Sequence, residues 1–187
     1  MGERKQEILQ AAIEIIEDEG YGSLSMRALA RAAGMKLGAL QYHFRTWDDL
    51  LRALVDYIAE HIRQEFESRK LQDGSSSVAE IAAFMLDDST EAGMLGDRLW
   101  PQLWAMEQTE PLVSDLLEEV YAEYLEILEK AMEAAGVESP HVEALCVMSI
   151  TEGESLFTGQ GRRWEGDRTL VRETILKFID EKYGKNS

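Results

Sequence analysis

Apolar residues recur at spacings of three and four along almost the whole 187-residue chain, and no stretch alternates strictly in twos. That periodicity builds amphipathic helices and leaves no material for a sheet. Only three prolines interrupt it, at positions 101, 111 and 140. An all-α fold of about nine helices is therefore expected, and a chain of this length can bury a sizeable core.

The helices can be placed from their stripes and caps. Ile8, Leu9, Ala12, Ile15 and Ile16 form one stripe that stops at Gly20. Met26, Leu29, Ala30 and Ala33 form the next, with Ser25 as N-cap and Gly34 after the end. A short third helix runs from about Lys36–Leu37 to Phe44. Thr46 caps a longer one over about 48–70, with Asp48 and Asp49 in its favourable first turn. The polar stretch 72–77 reads as a linker. Beyond it, Val78, Ile81, Ala82 and Met85 mark a helix, and 92–107 is expected to be bent or broken by Pro101. Pro111 and Pro140 open two long helices, and a last one spans about 167–183. The expected division is 1–47 as a three-helix head and 48–187 as a larger bundle, with the helix 48–70 linking them.

The formal net charge of −17 by itself argues against a nucleic-acid partner. Its distribution reverses that reading. Residues 1–55 hold seven Lys/Arg and eight Asp/Glu, whereas 56–187 hold twelve and twenty-eight. Between Gly20 and Trp47 there is no acid at all, but there are Arg27, Arg31, Lys36 and Arg45. A face kept free of carboxylates and supplied with cations is what phosphate requires. The charge is segregated.

Within that window two short helices join across Ala33-Gly34-Met35, the arrangement of a helix-turn-helix. On a helical wheel Leu37, Leu40 and Phe44 share the inward side. Ala39 and Tyr42 fall opposite, flanked by Gly38 and His43. Small residues let a helix enter the major groove, while Tyr42, His43 and Arg27 reach phosphate or base edges.

The string Ile8-Leu9-Gln10-Ala11-Ala12 … Gly20-Tyr21 … Leu24-Ser25-Met26-Arg27-Ala28-Leu29-Ala30 … Ala33-Gly34-Met35 … Gly38-Ala39-Leu40-Gln41-Tyr42-His43-Phe44 … Asp49-Leu50-Leu51 closely resembles the N-terminal domain of TetR-family transcriptional regulators, over roughly residues 4–60. The resemblance implies a homodimer that binds a near-palindromic DNA operator, usually as a repressor, and is released by a small-molecule effector held in the C-terminal domain. It implies DNA contacts from Ser25, Arg27, Lys36, Leu37, Gly38, Ala39, Gln41, Tyr42, His43 and Trp47. Three positions depart from the family pattern: Gln41 where a Tyr is usual, Ala39 where a hydroxyl is common, and Trp47 where a Lys is common. Leu37 either meets a thymine methyl or packs inward.

In the acidic remainder, the resemblance places the dimer interface on the last two helices. The stripes Cys146, Ile150, Gly153, Phe157 and Leu176, Ile179, Tyr183 are the candidates there, with an ordinary intrachain core as the alternative. Candidate effector contacts are Phe84, Met85, Met94, Trp100, Trp104, Met106, Tyr121 and Tyr124, adaptable and aromatic side chains that also serve as core. Glu152 shares a helical face with Leu145, Ser149 and Leu156, so it meets either a cationic ligand or the dimer interface.

Nothing reads as catalytic. His43, His61 and His141 lack metal-ligand spacing, and there is neither a glycine-rich phosphate loop nor a strand–Ser–helix elbow. No cofactor and no metal are expected. Membrane spans are not expected either, since no run approaches the ~18 apolar residues of one. The N-terminus does not read as a signal peptide, and the lone Cys146 suits a reducing cytoplasm. A ligand-responsive regulator is therefore the expectation; the alternative is an all-helical small-molecule-binding or protein-interaction module whose helix-turn-helix no longer binds DNA.

Overall fold

The computed structural model describes residues 2–69, 76–87 and 98–184. Among them are nine α-helices: α1 (Glu3–Glu19), α2 (Met26–Ala32), α3 (Leu37–His43), α4 (Trp47–Ser68), α5 (Val78–Met85), α6 (Trp100–Glu107), α7 (Pro111–Ala134), α8 (Pro140–Thr158) and α9 (Arg168–Tyr183). Met94 and most of the polar stretch 72–77 lie outside the described residues. No described helix is long and apolar enough to cross a membrane.

Local chemistry accounts for the helix ends. The Ser25 hydroxyl accepts from the Ala28 N–H at 3.2 Å and starts α2. Thr46 and Asp49 cap each other across the first turn of α4, each side chain accepting the other's backbone N–H at 3.1 Å. Ser77 and Glu80 do the same for α5, which holds the Glu80 carboxyl below its usual range. Of the segment 92–107, expected to be bent or broken by Pro101, residues 92–97 lie outside the described residues; α6 begins at Trp100 and holds Pro101 in its first turn, where a missing N–H costs nothing.

The chain divides into two compact units. One comprises 1–63 and 94–118, the other 64–93 and 119–187. In the first, Ile8, Leu9, Ala12, Ile13 and Ile16 of α1 are fully buried, together with Leu29, Leu40 and Leu54. These side chains lock α1–α3 to the first half of α4, each contributing roughly 1.5–3 kcal/mol by leaving water.

In the second unit α9 packs against α5 and α8. Ile179 is fully buried there and Tyr183 nearly so. Ile179 and Tyr183 therefore take the intrachain-core alternative to a partner-facing role, while Leu176 is half-buried. The same side of α9 carries Arg168 and Arg172, which reach the buried Glu154 of α8 at 3.2 and 3.1 Å. That face is therefore committed to the chain's own core, and α9 turns Leu170 and Phe178 outward instead, 66% and 57% exposed.

Candidate functional site

The turn between α2 and α3 is closed by backbone chemistry. Gly34 takes the left-handed φ of +64°. Its N–H donates to Arg31 at 3.1 Å, and the Met35 N–H donates to Ala30 at 2.9 Å. This paired arrangement ends α2 abruptly and aims α3 across it. Arg4 of α1 supports the turn by donating to the Ala33 carbonyl at 3.1 Å.

With that frame set, α3 buries Leu40 and presents its other side. Gly38, Ala39, Gln41 and Tyr42 are exposed, Tyr42 to 86%. His43 is half-buried, its ring edge-on to Tyr42 with 5.6 Å between centroids. Leu37 is half-buried as well, between the two roles open to it. Arg27, Arg31, Lys36 and Arg45 are exposed, and among the described residues none of them is held in an ion pair. The stretch thus carries uncompensated positive charge beside a helix face of small and hydrogen-bonding residues. Ser25 accepts with its oxygen at the start of α2, so its O–H proton is left to donate outward.

Trp47 departs from the rest. It is half-buried, its ring centroid lies 6.4 Å from that of Tyr21, and its side chain hydrogen-bonds the Tyr21 phenol. In this structure the indole serves the turn before α2.

Five of the candidate effector contacts fall in the second unit. Glu152 of α8 is half-buried and accepts from the Tyr121 phenol of α7 at 3.3 Å. Tyr124, one turn along α7, is buried, and its ring lies 6.2 Å from that of Phe84 on α5. Met85 receives a hydrogen bond from Thr151 of α8, 3.7 Å from oxygen to sulfur. Burial pushes the Glu152 carboxyl up to about 7, offset in part by the Tyr121 hydrogen bond. Burial, then the Glu152 charge, raises the Tyr124 phenol. Trp100, Trp104 and Met106 belong to the first unit, Met106 buried and both tryptophans half-buried.

On α8 the residues Cys146, Ile150 and Phe157 are exposed, Ile150 to 39% and Phe157 to 60%, with Gly153 half-buried between them. Val142, Leu145 and Leu156 extend this apolar side at 59%, 42% and 50% exposure. Leu176 of α9 is half-buried.

Sequence reasoning missed the Glu154–Arg168–Arg172 cluster, to which Thr158 also donates. Its visible signal was the spacing of the two arginines, four apart on one face of α9. Among the described residues no group of His, Cys, Asp and Glu is placed to hold a metal ion.

Residues 8–54 match the family model of bacterial regulatory proteins, tetR family. Over 169 residues the chain is 28% identical to a helix-turn-helix-type transcriptional regulator encoded in the dhlA 5′ region of Xanthobacter autotrophicus, covering 83% of this chain and 84% of that protein. Its fold is similar to that of a TetR-family transcriptional regulator from Rhodococcus sp., with a TM-score of 0.74, 25% identity, and 96% and 98% of the two chains covered. A transcriptional regulator from Saccharomonospora viridis, solved in complex with choline, shares the fold at a TM-score of 0.76 and 16% identity, over 96% and 97% of the chains.

Proposed function

Because the chain belongs to the TetR family of bacterial helix-turn-helix transcriptional regulators, we propose that it is a cytoplasmic, effector-released repressor that binds a near-palindromic operator as a homodimer. Membership makes it a DNA-binding protein and not an enzyme. The observation that carries the docking is the exposed side of α3, flanked by four cations without ion pairs and free of carboxylates from Gly20 to Trp47. Arg27, Lys36, Gln41 and the Ser25 hydroxyl take phosphates. Gly38 and Ala39 let α3 sit deep in the groove, and Tyr42 and His43 reach base edges or phosphate. Where Ala39 lacks a hydroxyl, the backbone approaches more closely instead.

Pairing through the outward sides of α8 and α9 is supported by their exposed apolar residues, which a lone soluble chain would not keep in such number. Two heads held in one dimer meet successive major grooves about one helical turn apart. The division of labour follows the sequence: 1–47 reads DNA and 48–187 binds the effector and the partner. Because α4 supplies residues to both compact units, a change in it alters the spacing of the heads and so the operator affinity. A small-molecule effector is supported by the choline held in a regulator of the same fold.

The test uses a DNA duplex recovered by the full chain from a random pool. Arg27→Ala and Tyr42→Ala should each weaken binding by about tenfold or more, with sedimentation and melting midpoint unchanged. Undiminished binding by both variants would remove α2–α3 from the interface.

A further inference from the structure

Two carboxylates lie two residues apart on α8, and the chain treats them differently. Glu154 is buried and clasped by Arg168 and Arg172 of α9. Glu152 is half-buried, and among the described residues no lysine or arginine pairs with it. Its hydrogen-bond donor among the described residues is the phenol of Tyr121, at a long 3.3 Å. A carboxylate withdrawn from water without a cation is costly, and one neutral hydrogen bond offsets little of that cost.

The surroundings are apolar and aromatic. Tyr121 and Tyr124 stand on α7, Phe84 lies beside Tyr124 with the Arg69 guanidinium 5.5 Å from its own ring centroid, and Leu145 and Leu156 flank Glu152 on its own helix face. An ammonium group gains from a carboxylate and from ring faces together. A phosphate, a sugar or a fatty carboxylate gains from neither.

We infer that Glu152, with Tyr121 and Tyr124 of the facing helix around it, is the recognition site for an organic monocation, an amine or quaternary ammonium with an apolar body. The inference rests on the effector reading above and gives that effector its chemical class. Glu152 supplies the opposite charge, the rings supply the walls, and Tyr121 holds the carboxylate in place. Tyr121 is thus a positioning residue.

The probes are 2-phenylethylammonium and 2-phenylethanol, alike in shape and differing in charge, titrated calorimetrically into the full chain at pH 8. The ammonium should bind at least about tenfold more tightly than the alcohol. Glu152→Gln should bring the two within about threefold, with the oligomer intact. Equal affinities in the wild type, binding of neither probe, or a preference that survives Glu152→Gln would overturn the inference. So would dissociation of the dimer by Glu152→Gln, which would assign the carboxylate to the contact between copies. Binding of the probe-free wild type to a selected DNA duplex is measured alongside. DNA binding without an amine preference refutes the cation site alone, whereas lost DNA binding refutes the regulator reading.

Discussion

The phenol of Tyr21, in the short turn that leads into α2, donates its hydrogen bond to the carboxylate of Glu110, 89 residues further along the chain. The contact does not stand alone. The Tyr21 N–H donates to the Gln102 amide oxygen at 3.3 Å, and Arg98 donates to the Glu17 carbonyl at 3.1 Å and pairs with Asp18. All these residues belong to the first compact unit. The segment around α6 thereby grips the end of α1 and the turn ahead of the helix-turn-helix. Burial, reinforced by the Glu110 hydrogen bond, raises the Tyr21 phenol well above its usual range, so it stays a donor at every working pH.

Tyr21→Phe removes that donor and, with it, the acceptor of the Trp47 indole N–H. A hydrogen bond to a charged, partly buried acceptor contributes about 1–2 kcal/mol. The melting midpoint should fall by roughly 2–6 °C. Glu110→Gln, which keeps an acceptor, should cost less. Calorimetric melting of both variants checks the order.

Operator binding should weaken steeply with salt. If each head neutralises three or four phosphates, a dimer releases enough counterions for a log–log slope of about −5 to −7. The acidic remainder repels phosphate and adds nothing to this count. A flat response in anisotropy titrations would show that the cations of the acid-free stretch are not at the interface.

A charge on the outward side of α8 should separate the copies. Ile150→Glu and Phe157→Glu place carboxylates at positions already 39% and 60% exposed, so the fold tolerates them. Sedimentation should show monomers with unchanged helix content. DNA affinity should fall by more than a hundredfold, since single heads lose the second half-site. Ile179→Ala is predicted to act differently: at a fully buried site it should cost about 2–5 kcal/mol of stability.

Stability should respond to pH through Glu152. Its folded-state value of about 7 lies above the ordinary 4.5, chiefly because of burial. Between those values the folded chain holds a proton that the unfolded chain has released, so stability falls as pH rises and the penalty is complete above about 7. The groups facing it from α7 are the phenols of Tyr121 and Tyr124, neither of them cationic. Glu152→Gln should therefore be neutral near pH 4.5 and stabilise by about 1–2 kcal/mol at pH 8, allowing for the carboxylate's partial exposure. Equal midpoint shifts at both pH values would contradict this.

The head was legible because its determinants are local. The Ser25 and Thr46 caps, the Gly34 turn and the inward placing of Leu40 and Phe44 against outward Ala39 and Tyr42 all follow from spacing within a few residues. The long-range ties were not legible. Nothing near Tyr21 points to Glu110, and the spacing of Arg168 and Arg172 marks a shared face without naming Glu154 as its partner. Ile179 left both readings open for the same reason, since a helical stripe says that a face is buried but not against what. The hydrogen bond from Trp47 to the Tyr21 phenol is likewise a tie that neither residue's neighbours in sequence announce.

The central claim is that two copies of this chain read DNA symmetrically through α3. Selection of bound duplexes from a random pool by the 187-residue chain tests it most directly. The account predicts enrichment of an inverted repeat whose half-sites are centred about 10 base pairs, or a small multiple of that, apart. Recovery of no enriched sequence, or of one without two-fold symmetry, would contradict it.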